Sequence, residues 1–350
     1  MAAATIAMPC FMLLTGFANL FGLGGSSLIS RCLGTGDQEK ARHCAAFCIW
    51  TGAAVALLYG IAVVLLEPLL FPILGASADT WEYCRQYAFW TIGVGAVPTV
   101  MNAELAHLIR AEGYSKPAGF GVAFGGILNI VLDSIFIFAF HLDIQGAAIA
   151  TLLSNLIAMG YFFGFLYHIR ENTVVTPNPK AYSVGEHIPA EVLSVGLPGF
   201  VMTLMSTISN AALNHMVAGY SDTAIAGMGI AKKIDLLAYA IAQGMTQGTL
   251  LLIGYNYTSG NHKRMKAAIK TAFAYSFAVA CAGAVLLWTL AAPVSRCFIA
   301  DAETVHYGQH FLKVICLACP TTAVNFMVIT VFQAIGKKVQ PVCRCCARAV

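Results

Sequence analysis

Apolar residues run along this chain in long unbroken stretches instead of alternating singly with polar ones. Nine stretches stand out, at about residues 4–30, 44–74, 84–109, 117–140, 146–169, 191–218, 224–253, 266–298 and 307–335. Each is long enough for an α-helix to cross the roughly 30 Å hydrocarbon core of a bilayer. A transmembrane β-barrel would show short alternating segments instead. The pattern predicts an all-α polytopic membrane protein with nine transmembrane helices. Composition strengthens this: 59% of residues are hydrophobic and only 10% charged, with mean hydropathy +0.75. A soluble domain carries about 25% charged residues. The first stretch has no basic flank and is too long for a cleavable signal peptide.

The connections between stretches alternate in character. Those after the first, third, fifth, seventh and ninth hold 15 of the 20 Lys and Arg residues, among them Arg31, Arg42, Arg110, Lys116, Lys180, Lys263 and Lys338. The others (GASADTWEY, HLDIQ, GYSDT, IADAETVH) are short and poor in them. The positive-inside rule therefore predicts that the basic set is cytoplasmic, with the N-terminus outside and the C-terminus inside.

The chain also repeats itself. GGSSLISRCLGTGDQEKAR at 24–42 aligns with GTLLLIGYNYTSGNHKRMK at 248–266, at an offset of 224. Gly36 meets Gly260, and each precedes a good helix N-cap, Asp37 or Asn261. At an offset of 223, Gln86 meets Gln309 and Gly113 meets Gly336. Six spans separate the copies, so both have the same orientation, a parallel repeat about an axis along the membrane normal. The segment 171–190, with its three prolines, reads as a cytoplasmic linker. This predicts an N-terminal lobe at 1–170, a C-terminal lobe at 191–340 and an irregular tail at 341–350. A six-span repeat predicts twelve spans, so the chain reads as a fragment or an interrupted reading frame.

Asn129 and Asp133 lie four residues apart within the fourth stretch, on one face of a helix. A carboxyl in the middle of hydrocarbon costs a few kcal/mol or more, which marks it as functional by default. The bland alternative is that Asp133 simply accepts hydrogen bonds from neighbouring helices.

These segments resemble the multidrug and toxic compound extrusion (MATE) transporters, over nearly the whole chain up to about Lys338. GGSSLISRCLGTGDQEKA is similar to that family's loop between its second and third helices. RAEGYSKPAG, LNIVLDSIFIF and QGAAIAT are similar to its signatures around helices four to six, and GMGIAKKID and GMTQGTLLLIGYNYTSGNHKR to its eighth helix and the loop after it. On this alignment the nine spans correspond to family helices 2–10. The resemblance implies two six-helix lobes around a central cavity that opens alternately to each side. It implies export of amphipathic, often cationic, organic compounds in exchange for H⁺ or Na⁺, with no resident cofactor. It also implies a cation-coupling site at Asn129, Asp133 and Thr151, with Na⁺ possible at Asp133. The family's helix 1 Asp has no counterpart here.

Other polar groups inside apolar stretches have two readings each. Asn102 and Glu104 line a substrate cavity, or Glu104 pairs with Arg110. Lys232, Lys233 and Asp235 form a second coupling or gating site, or an ion pair that locks helices. Gln243 and Gln247 meet substrate or join helices. Met202, Met205 and Met216, with Phe200, suit a promiscuous pocket or plain packing. Pro98, Pro198 and Pro320 are hinges or ordinary kinks.

Most of the 12 cysteines sit singly in apolar runs and read as small buried hydrophobes. Cys343, Cys345 and Cys346 in the tail have metal-ligating chemistry but no partner His or second CxxC nearby. No phosphate-binding Gly-rich loop, HExxH or paired catalytic constellation stands out, and no basic–aromatic patch suggests nucleic acid. The sequence thus predicts a non-enzymatic, monomeric transporter of small molecules in a cell membrane, of the bacterial inner-membrane type. The alternatives are a lipid-linked sugar flippase of the same architecture, with Lys232, Lys233 and Lys313 as its cations, and a non-functional fragment.

Overall fold

The computed structural model describes residues 2–74, 76, 78–218, 222–299 and 301–336. Helices account for nearly all of it, and no strand occurs among the described residues. In chain order they are α1 (Ala2–Thr35), α2 (Gln38–Ile73), α3 (Ala78–Ala88), α4 (Ala96–Ala111), α5 (Ser115–Ser134) and α6 (Asp143–His168). After a long connection come α7 (Ile188–Ala218), α8 (Asp222–Thr258), α9 (His262–Thr289), α10 (Ala291–Phe298) and α11 (Ala302–Ala334). Among the described residues eight helices are long and apolar enough to cross a membrane, or nine if the bent pair around Gly95 is one span. Leu58, Leu65, Ile130, Phe138 and Leu237 point outward, the arrangement expected where the surrounding solvent is lipid.

Two predicted spans are broken. The third is α3, a π-helical turn at Phe89–Val94, then α4, with a bend of 49°. Pro98 has no N–H to offer the Val94 carbonyl, and the wider π-turn with Gly95 absorbs the interruption. The eighth span stops at Thr289, and α10 follows as a separate short helix. A second π-helical turn, Ile135–Ala139, ends the fourth span.

The helix starts follow the duplicated sequence. Asp37 caps α2 by accepting from the Lys40 N–H at 3.0 Å, and Asn261 caps α9 by accepting from the Arg264 N–H at 3.1 Å. Gly36, Gly113, Gly260 and Gly336 are the positive-φ glycines among the described residues. They are two aligned pairs of the repeat, each placed where the chain leaves a helix in the left-handed region.

The chain divides into two compact units, Met1–Leu204 and Met205–Val350. In the first, α1 packs along α4 and α2, while α5 and α6 cover the opposite side of α4. The first half of α7 belongs to this unit and approaches α1 through glycines. A Cβ on Gly24 would strike the Val192 carbonyl, and one on Gly196 would strike the Leu20 carbonyl. Glu191 fastens the start of α7 by pairing with Lys40 at 2.9 Å and Arg31 at 3.3 Å. The segment 171–190 is tied to the same unit. The Trp50 indole N–H donates to the Pro177 carbonyl at 3.1 Å. Glu112, in the turn after α4, accepts from the Thr173 hydroxyl at 2.6 Å and from the Val174 N–H. Burial pushes the Glu112 carboxyl above the usual carboxylate range, against the pull of those donors. In the second unit α8 and α11 form the central pair, with Ile230, Ala231, Ile234, Ala291, Leu312 and Cys316 buried together. The predicted tail, with Cys343, Cys345 and Cys346, lies outside the described residues.

Close backbone approach sets the α1–α7 contact, so a side chain at Gly196 must separate the helices. Gly196→Ala is expected to destabilise the protein by about 1–3 kcal/mol, read as a lowered thermal unfolding midpoint in detergent. Gly229→Ala, where a Cβ would meet open space, is the control expected to leave that midpoint in place.

Candidate functional site

The polar residues of the first unit gather along the seam where α4, α5 and α6 meet. Each occupies a helical position whose neighbours four residues away share its face. On α5, Asn129 and Asp133 are one turn apart, and the π-helical turn begins two residues after Asp133. On α6, Thr151 and Asn155 are likewise one turn apart; on α4, Thr99 and Asn102 are three residues apart.

The structure brings Asn129 and Thr151 together: the Asn129 amide donates to the Thr151 hydroxyl oxygen at 3.5 Å. The Thr151 hydroxyl itself donates to the Ala147 carbonyl at 2.9 Å, leaving its oxygen facing α5. Asp133 lies one turn beyond Asn129 and is half-buried. Its Oδ1 is shut away from solvent with no hydrogen-bond partner. The Tyr87 ring, at the end of α3, is near enough to feel the charge of Asp133. An orphaned carboxylate oxygen beside an amide and a hydroxyl is a set of hard oxygens. It suits a proton or a small hard cation and offers nothing to a soft metal.

Asn155 continues the seam. It accepts from the Asn102 amide at 2.8 Å and donates to the Thr99 hydroxyl at 3.3 Å and to the Thr151 carbonyl at 2.9 Å. The Asn102 Oδ1 is a second buried acceptor without a partner. Asn155, Thr99 and Tyr87 were missed in the sequence. The spacing of Asn155 four residues beyond Thr151 was the available signal.

Asn102 and Glu104 are two residues apart and do not share a face. Asn102 turns to α6. Glu104 is fully buried against Gly52 of α2, and neither of its carboxylate oxygens has a partner, so it does not pair with Arg110.

In the second unit Lys232 donates to the Asn210 side chain of α7 at 2.8 Å, and Lys233 is exposed. Asp235 is close enough to Cys316 and Cys319 of α11 to act on them electrostatically. Lys313 lies over the Trp288 ring, 5.8 Å from its centroid. Gln243 and Gln247 form a ladder along α8: the Gln247 amide donates to Gln243 at 3.4 Å, and the Gln243 amide donates to the Tyr239 hydroxyl at 3.2 Å. Met202 and Met205 are half-buried and Met216 is exposed, all on α7. No cluster of three or more metal-ligating side chains occurs among the described residues.

A family model described as MatE matches residues 1–135 and 198–347. A multidrug export protein MepA from Staphylococcus haemolyticus is 31% identical over 339 residues, covering 96% of this chain and 73% of its own length. One from Staphylococcus saprophyticus is 28% identical over 335 residues, with the same two coverages. Among solved structures, a multidrug resistance MATE transporter of the MOP superfamily in an outward-facing conformation superposes with TM-score 0.89. It is 26% identical and covers all of this chain and 78% of its own. A MOP superfamily transporter from Pyrococcus furiosus superposes with TM-score 0.86 at 25% identity, over 98% and 76% of the two chains.

Asn155 joins α6 to α4 through Asn102 and Thr99, so Asn155→Ala removes both contacts at once. The expected cost is about 1–2 kcal/mol, measured as a lower unfolding midpoint in detergent. An unchanged midpoint would show that the seam contributes nothing to holding α4 against α6.

Proposed function

This chain belongs to the MATE family, and from that premise we propose that it is a multidrug efflux transporter driven by cation antiport. Its substrates are amphipathic or cationic organic compounds, exported by alternating access across a cell membrane. The coupling site is Asn129, Asp133 and Thr151. The observation that carries this assignment is the buried, unpartnered Oδ1 of Asp133, one turn from the Asn129–Thr151 hydrogen bond. A cation entering there finds a full charge from Asp133, an amide oxygen from Asn129 and a hydroxyl oxygen from Thr151. A proton needs only the carboxyl. Either ion removes the penalty of an unpaired charge held away from water, so loading favours a different helix arrangement from the empty, ionised site. Na⁺ and H⁺ remain the two candidate ions.

Asn102, Met202, Met205, Gln243 and Gln247 are the proposed substrate contacts: amide groups and flexible thioethers bind varied amphipathic molecules without demanding one shape. Lys232, Lys233 and Asp235 are proposed to act in gating. The basic connections face the cytoplasm.

Asp133→Asn keeps the side chain's size and removes its charge. Dye efflux from cells expressing the variant is expected to fall about tenfold or more; efflux equal to that of the parent would overturn the assignment. For the orientation, alkaline phosphatase fused after Lys263 is expected to be inactive and fused after His141 active. The reverse pattern would invert the topology.

A further inference from the structure

Glu104 is the one acidic side chain of the first unit's helices that is wholly enclosed and wholly unpartnered among the described residues. It lies in the middle of α4, six residues before Arg110, so about 9 Å of helix separates it from the predicted cytoplasmic end. Asp133 lies eighteen residues into α5 from Ser115, about 27 Å from the same side. The two carboxyls therefore occupy opposite halves of the membrane. The seam of Asn129, Thr151, Asn155 and Asn102 spans the depth between them, and Asn102 stands on the side of α4 facing α6, away from Glu104.

The groups around Glu104 are few. From α2 come Gly52, whose Cβ would overlap the carboxyl, and the thiols of Cys44 and Cys48. Its own helix offers His107, one turn on and packed against Gly22 of α1. α5 and α6 meet α4 on the Asn102 side. No Lys or Arg is paired with it. An ionised carboxylate so placed would cost several kcal/mol with nothing to offset it. The neutral acid is the form that fits, and its hydroxyl and carbonyl still lack partners.

The surroundings also allow movement. α4 rests on glycines of α1 and α2: Gly52 under Glu104, Gly22 under His107 and Gly25 under Leu108. Its N-terminal end is set off from α3 by the π-turn and the 49° bend. A helix riding on glycines, with a break at one end, can shift without displacing large side chains.

We propose that Glu104 is a second proton-binding carboxyl, which takes up and releases a proton from the cytoplasmic half of the membrane during each transport cycle. This rests on the reading of the chain as a cation-coupled exporter and adds to it a site apart from Asp133. The proton is bound to a Glu104 carboxylate oxygen when α4 is packed as seen here. It leaves when α4 shifts and water reaches the carboxyl.

The test uses the full chain in liposomes and dicyclohexylcarbodiimide, an apolar reagent that adds to protonated carboxyls, with adducts located by mass spectrometry. Labelling of Glu104 is expected at acid pH and is expected to fall as pH rises. No adduct on Glu104 at any pH, with Asp133 labelled in the same sample, would overturn the proposal. Glu104→Gln supplies the second reading, since it copies the neutral acid's shape. It is expected to keep the unfolding midpoint yet lose about tenfold or more of proton-driven dye efflux. Efflux and pH profile identical to the parent would also overturn it. If Glu104→Gln fails to fold, the labelling of the parent decides alone. Labelling needs no export, so absence of dye efflux by the parent contradicts the transport reading and leaves the Glu104 result standing.

Discussion

Hydrocarbon offers no hydrogen bond, and the placement of most described polar groups within the spans follows from that. Backbone groups are satisfied inside long helices. Side-chain hydroxyls return to the preceding turn, as Thr151 does to Ala147. Amides find amides across helices, as Asn102 finds Asn155. The exceptions then carry information. Among the described residues Asp133, Glu104, Asn102 and Ser295 hold buried oxygens without a protein partner, and the first two are carboxyls. A proton, an ion or water would offset the cost of such a carboxyl.

The helices around these oxygens are the irregular ones. One π-turn follows Asp133 directly, and the other links α3 to α4, just beyond Tyr87. A π-turn loosens the i→i−4 ladder and lets a helix change direction at small cost. The α1–α7 contact adds an ion pair to its close approach. Glycines at Gly24 and Gly196 let backbones touch, and Glu191 adds an ion-paired fastening to Arg31 and Lys40 at its end.

Much of this was legible in the sequence because the physics is one-dimensional. Span lengths follow from bilayer thickness, and the capping of α2 and α9 follows from Gly–Asp and Gly–Asn at matching offsets. Asn129 and Asp133 were visible as an i,i+4 polar pair. Contacts between helices were harder to read. Asn155 stands in an apolar run, and the structure sets α4 beside it. Glu104 looked like a companion of Asn102, two residues away, until the rotation of α4 turned them to different faces. Pro98 marked an interruption, but only the structure shows a π-turn with a sharp bend and not a gentle kink. Nor did composition reveal that the run ending at 298 stops at Thr289, with α10 as a separate helix.

We propose that export is driven by a cation bound at Asp133. With the full chain reconstituted in liposomes, an outward-directed H⁺ or Na⁺ gradient is imposed and uptake of a cationic dye into the liposomes is followed. Dye is expected to accumulate inside against its own gradient while one of the two ion gradients persists, and not once both are collapsed. Dye accumulation that continues with both gradients collapsed would contradict it.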